Sequence, residues 1–339
     1  MNKSNKLVEF DILRAVCIIF LMFVHSDIFS TYLLGIKLEP IGPYMGTFML
    51  GSFFFMAGYF TEYSHRHKQQ GFLSYIWSKF IRLFPPYWLA LLLFVIVLGF
   101  SLKRFDFFMY VLNLQFIFSP AFIKPLLTLW YLSVVFAYYV TFGLFLSHES
   151  RNLIVWAVFV FIASLFLSYK FELFDDRFFE YYFVFLAGIF LARYDLFRER
   201  VFCAPFLIQL SVGLVGAILF GVFEFGDYRV RSAGYLFASN VYILSWAVLA
   251  LSLFRASWLH WRIWQPVSYA SFFAYLLHRP IWEIMFATVN FPPVVYSGWY
   301  RLLPGSIFVF VISYYMQFGY DLLLKAASDL WKRLTLKAA

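Results

Sequence analysis

Apolar blocks of about twenty residues recur along the chain, and short polar segments separate them. The first block runs from Asp11 to Tyr32 and the second roughly from Tyr44 to Tyr63. A third follows Pro85-Pro86 and ends near Leu102, and a fourth runs from near Leu126 to near Leu146. Further blocks fall at about 152–169, 179–193, 205–223, 234–254, 267–289 and 303–324. Between the third and fourth, Phe105–Phe118 is apolar but too short to cross a bilayer, so it reads as re-entrant, interfacial or packed against the bundle. The pattern predicts an all-α fold: a polytopic membrane helical bundle of about ten spans. Residues 1–339 form one integral membrane domain, with no appended soluble domain.

Composition supports a membrane bundle. Hydrophobic residues make up 63% of the chain and charged ones 13%, against about 25% charged in a soluble domain. The net charge of +9 does not point to nucleic acid, because the basic residues are scattered over short loops and form no stripe. Their distribution instead sets orientation. With the N-terminus inside, the inner segments hold Arg66, Lys68, Lys79, Arg82, Arg198, Arg255 and the basic C-terminal residues, so both termini are expected in the cytoplasm. The first block is read as a retained span, since no small-x-small site follows its apolar core. Cys17 and Cys203 suggest no disulfide framework.

Ionisable residues inside a span are costly and mark functional sites. Arg14 and His25 lie eleven residues apart in the first block, which on a helix closes three turns with roughly 20° to spare. Both side chains therefore share a face, roughly 16 Å apart along the axis. Histidine titrates near neutral pH and suits general-base work. Asp11 is placed to cap this helix. Gly51 and Gly58 in the second block allow close helix approach.

Three later stretches carry further candidates. In Lys79-Phe-Ile-Arg82 two cations share a helix face beside Arg66 and Lys68, and they suit the phosphates of a bound ligand or the headgroups of lipids. Trp130-Tyr131-Leu-Ser133 reads as an aromatic interface belt. In Tyr275-Leu-Leu-His278-Arg279-Pro280, a histidine and an arginine fall inside an apolar span beside a proline that can kink it. His65 and His67 lack the partners of a metal site, and none is expected.

These four segments, in this order, resemble those of the acyltransferase-3 family of membrane O-acyltransferases. The match rests on Arg14 and His25 with ten residues between them, on Lys79-x-x-Arg82 before Pro-Tyr-Trp, on Trp130-x-Leu-Ser133, and on Ser268-Tyr-x-x-x-x-x-Tyr275-Leu-x-His278-x-Pro280. Two departures stand out: Lys79 replaces the family's usual arginine, and Val135 stands where many members have glutamate. The resemblance implies transfer of an acyl group, typically acetyl, from cytoplasmic acyl-CoA to a hydroxyl of a cell-envelope or exported polysaccharide or its lipid-linked precursor. It implies a bacterial inner-membrane location and no bound cofactor, with acetyl-CoA as donor substrate. Arg14, Lys79 and Arg82 would bind the donor. His25 would act on the acceptor hydroxyl or carry the acyl group transiently. Trp130, Tyr131, Ser133, Tyr275, His278 and Arg279 would line the substrate site. A transporter or flippase for a lipid-linked sugar would use the same charges without consuming acyl-CoA. A structural membrane subunit would tolerate the loss of Arg14 and His25.

Overall fold

The computed structural model describes residues 7–33, 36–68, 70–146, 150–226, 232–288 and 297–338. In chain order the helices are α1 (Val8–His25), α2 (Ile41–Lys68), α3 (Phe72–Val97), α4 (Arg104–Val111), α5 (Gln115–Phe118), α6 (Trp130–Gly143), α7 (Ser150–Phe171) and α8 (Asp176–Glu180). They continue as α9 (Tyr182–Arg193), α10 (Asp195–Phe202), α11 (Phe206–Glu224), α12 (Ala233–Phe254), α13 (Trp264–Thr288), α14 (Ser297–Tyr300) and α15 (Ser306–Ala338). A two-residue antiparallel ladder, Tyr32 opposite Lys37 and Leu33 opposite Ile36, is the only sheet among the described residues.

The chain is a helical membrane bundle. Among the described residues, five stretches are long and apolar enough to cross a bilayer: Phe72–Val97, Arg151–Phe171, Phe206–Glu224, Ala233–Phe254 and Ser297–Leu330. The expected apolar blocks overlap helices without all being matched end to end, the fourth overlapping α6 and the sixth α8 and α9 together. On the peripheral α7 and α11, Val155, Phe159, Ile162, Leu207, Val215 and Ile218 are all exposed, the apolar outward face a helix presents to lipid.

α1 is the hub of the bundle. It packs against α2, α12 and α13, and Leu13, Ala15, Cys17, Ile18 and Leu21 are wholly buried. The helix begins before Asp11, so Asp11 is not its cap. Its carboxylate instead accepts a hydrogen bond of 3.1 Å from Ser268 on α13. The helix stops at His25 rather than at Tyr32. Asp27 adopts φ of 65°, a left-handed conformation that ends a helix and that aspartate tolerates better than most residues.

The third expected span is also corrected. α3 starts at Phe72, runs through Pro85 and Pro86, and ends at Val97. Proline withholds an N–H from the carbonyl four residues earlier, which for Pro85 frees Ile81. That oxygen accepts a hydrogen bond from the Tyr320 hydroxyl of α15, so a neighbouring helix satisfies the freed group.

α2 and α9 pack backbone to backbone. A Cβ placed on Gly58 would stand 2.0 Å from the Phe185 carbonyl oxygen, and one on Gly188 would stand 2.1 Å from that of Phe55. One end of this pair is clamped by ions. Arg193 reaches both oxygens of buried Glu62, at 3.0 and 2.9 Å, and donates to the Leu146 carbonyl. Nearby, Arg66 pairs with Asp195 and Arg198 joins them. The Arg66 hydrogen bond and the neighbouring cations hold the Asp195 carboxyl below its usual range.

Candidate functional site

The segment preceding Pro85-Pro86, continuous with α3, carries Lys79, half-buried, and Arg82, exposed, to the wall of a cavity. There they meet Arg14 of α1. All three line one cavity of about 450 Å³, within the usual size range for small-molecule sites. Lys79 lies over the rings of Tyr139 and Tyr75, at 4.5 and 5.2 Å. Arg14 lies over Phe60 at 5.6 Å. These aromatic faces help hold desolvated cations.

α15 contributes the carboxylate of Asp321 to the same wall. It accepts hydrogen bonds from the Tyr269 hydroxyl at 2.6 Å and from Gln317 at 3.0 Å. Three cations therefore face one engaged carboxylate, and the cavity favours an anion. Arg66, expected beside this cluster, turns away to the α9–α10 junction, where it donates to the Ala192 carbonyl at 2.8 Å. Sequence reasoning missed Asp321, Tyr269 and Gln317. A charged residue within the last apolar block was the available signal.

Tyr131 and Tyr275 line the cavity as well, with ring centroids 5.2 Å apart. The Tyr275 hydroxyl donates to the Thr128 carbonyl, which pins the ring. His25 and His278 do not line this cavity. They meet each other, as His25 Nδ1 lies 3.0 Å from His278 Nε2 and the rings lie parallel with centroids 5.0 Å apart.

Hydrogen-bond bookkeeping fixes the tautomers. His278 Nδ1 faces two carbonyl oxygens, Tyr275 at 2.9 Å and Ala274 at 3.2 Å, so it carries the proton. His278 Nε2 is then an acceptor, and His25 Nδ1 donates to it. This leaves a lone pair on His25 Nε2, the form a general base needs. His278 is wholly buried while His25 is partly exposed at the end of α1. Tyr275 joins the two regions: its ring walls the cavity and its carbonyl holds His278.

Of the other expected site residues, Arg279 lies beside the histidine pair. Trp130 stands under the Arg177 guanidinium at 4.2 Å, and Arg177 is itself bound to Asp175 at 2.7 Å. Ser133 is buried in the core, where it donates to the Asn113 carbonyl at 2.5 Å. Neither Trp130 nor Ser133 lines the cavity. Val135, in the place of the family's glutamate, does. Among the described residues no cluster of side chains has the makings of a metal site.

Compared with known families, residues 7–318 match the model of an acyltransferase domain, the acyltransferase-3 type. No curated protein matches the chain, and no solved structure does.

Proposed function

The chain belongs to the acyltransferase-3 family of membrane acyltransferases, and from that premise we propose that it moves an acetyl group from cytoplasmic acetyl-CoA to a sugar hydroxyl. The acceptor is a cell-envelope or exported polysaccharide or its lipid-linked precursor, and the site of action is the bacterial inner membrane. The observation that carries the reading is the meeting of Arg14, Lys79 and Arg82 around one cavity of about 450 Å³. Phosphate groups favour such a cation cluster, and Phe53, Phe60, Tyr63 and Phe272 of the wall offer ring faces to an adenine. Lys79 contributes charge without the paired geometry an arginine would give.

In this mechanism the donor's phosphates stay at the cation cluster, and its thioester arm passes the Tyr131–Tyr275 pair to reach His25. His25 Nε2 takes the proton of the acceptor hydroxyl, whose oxygen attacks the thioester carbonyl. His278 holds the His25 ring and its tautomer. Two measurements test the reading. Mass spectrometry of surface glycans from cells with and without the chain should show O-acetyl groups only with it. Acetyl-CoA binding should weaken with salt and with Arg82→Ala, because exposed charge contacts are screened. Unchanged glycans together with unchanged binding would favour a transporter.

A further inference from the structure

Among the described residues, Arg279 is a cation without an ion-pair partner. It sits in the interior of α13, between His278 and Pro280, and is mostly shielded from solvent. Its Nε is buried without a hydrogen bond, and among the described residues no carboxylate forms an ion pair with it. Glu283, four residues on, is exposed and does not pair with it. Asp27, the acidic group whose field reaches Arg279, is bound to Arg301, which also stacks on Phe286 at 4.9 Å. The segment 289–296, Val-Asn-Phe-Pro-Pro-Val-Val-Tyr, carries no acidic residue. A shielded guanidinium with no ion pair of its own, reached only by a carboxylate already bound to Arg301, is unfavourable in the resting protein, and Arg279 adjoins His278 in the chain and acts electrostatically on both histidines.

Resting on the acyl-transfer reading above, we propose that Arg279 stabilises the oxyanion formed when the acceptor attacks the thioester. The acceptor hydroxyl gives its proton to His25 Nε2, and its oxygen forms a bond to the carbonyl carbon. The carbonyl π pair moves to the oxygen, which accepts from the Arg279 guanidinium. When the carbonyl re-forms, the carbon–sulfur bond breaks. The sulfur leaves with the electron pair and takes the proton from His25, giving the ester and free CoA thiol. The imidazolium would be repelled by Arg279 if it formed alone, but the oxyanion appears in the same step and offsets that repulsion. Donors fixed in advance where charge develops are a large source of rate enhancement.

The experiment uses full-length protein in nanodiscs with acetyl-CoA, and methyl α-glucoside as the acceptor probe. Free thiol and acetyl ester are followed for wild type, Arg279→Gln, Arg279→Lys and His25→Ala. Arg279→Gln should lower kcat by about 10² to 10³ and leave acetyl-CoA affinity and the acceptor KM nearly unchanged. Arg279→Lys should fall between, and added guanidinium ion should restore part of the Arg279→Gln rate. A wild-type kcat in Arg279→Gln, while His25→Ala is inactive, would overturn the assignment and leave the acyl-transfer reading intact. So would a loss confined to the acceptor KM, which would make Arg279 an acceptor contact. Loss of acetyl-CoA affinity in both Arg279 variants, without guanidinium rescue, would make it structural. A wild-type protein that consumes no acetyl-CoA would overturn the acyl-transfer reading itself.

Discussion

Arg14 and His25 share a face of α1 but have different neighbours, so their replacements should fail differently. Arg14 lies in the cation-lined cavity, and Arg14→Ala should weaken acetyl-CoA binding by the worth of a charged contact, about 1.5–3 kcal/mol. His25→Ala should keep that affinity and lower turnover by roughly 10² to 10⁴, the scale of a lost general base. Separate measurements of donor affinity and transfer check both, and wild-type transfer by His25→Ala would remove His25 from the mechanism. The base works when neutral, so activity should fall as pH drops through its pKa. His278→Ala removes the acceptor that fixes the His25 tautomer. It should cost on the order of tenfold to 10² in turnover, less than His25→Ala, with donor affinity kept; full activity would show that the His25 ring needs no such support. The Arg14–His25 pair was legible because its spacing fixes a common face and its charges are costly in lipid. The contact between His25 and His278 was not, because 253 residues separate them and only tertiary packing brings them together.

Helix packing explains which element-scale features the sequence revealed. Gly58 was readable as a close-approach residue in α2, and it does meet the α9 backbone. Its counterpart Gly188 had no such marker, since the pairing of α2 with α9 is a property of the fold. Gly188→Ala would drive a methyl group into the Phe55 carbonyl, backbone that cannot swing aside as a side chain does. It should destabilise the bundle by about 1–3 kcal/mol or more, read as a lower thermal midpoint of detergent-solubilised protein. Gly46→Ala meets no atom within 4 Å of the added carbon and should leave the midpoint near wild type. Equal midpoints for the two variants would contradict the close packing of α2 on α9. Pro85-Pro86 misled the reading of α3 for a related reason. Local rules treat tandem prolines as a boundary, but here Tyr320 of a distant helix takes up a freed carbonyl, and the helix continues through them.

At the scale of the whole molecule, loop charges predict both termini in the cytoplasm, and the bundle supplies its own test of that expectation. Tyr63 and Ser64 line the cation cavity, and Arg66, just beyond them, pairs with Asp195 at the start of α10. Cys203 follows the end of α10 and is exposed, while Cys17 is buried. Cys203 therefore lies at the end of the bundle where the cavity's α2 wall meets α10, and the other thiol should be silent. A membrane-impermeant maleimide added to intact cells should leave the chain unlabelled, and permeabilised cells should take up one label per chain. Cys203→Ser should abolish that label, and Cys17→Ser should not. Labelling of Cys203 in intact cells would invert the orientation. The cluster of Arg14, Lys79 and Arg82 would then face away from the compartment that holds acyl-CoA. A reaction that draws its donor from the cytoplasm could not start from that cavity, and a transport reading of the same charges would take its place.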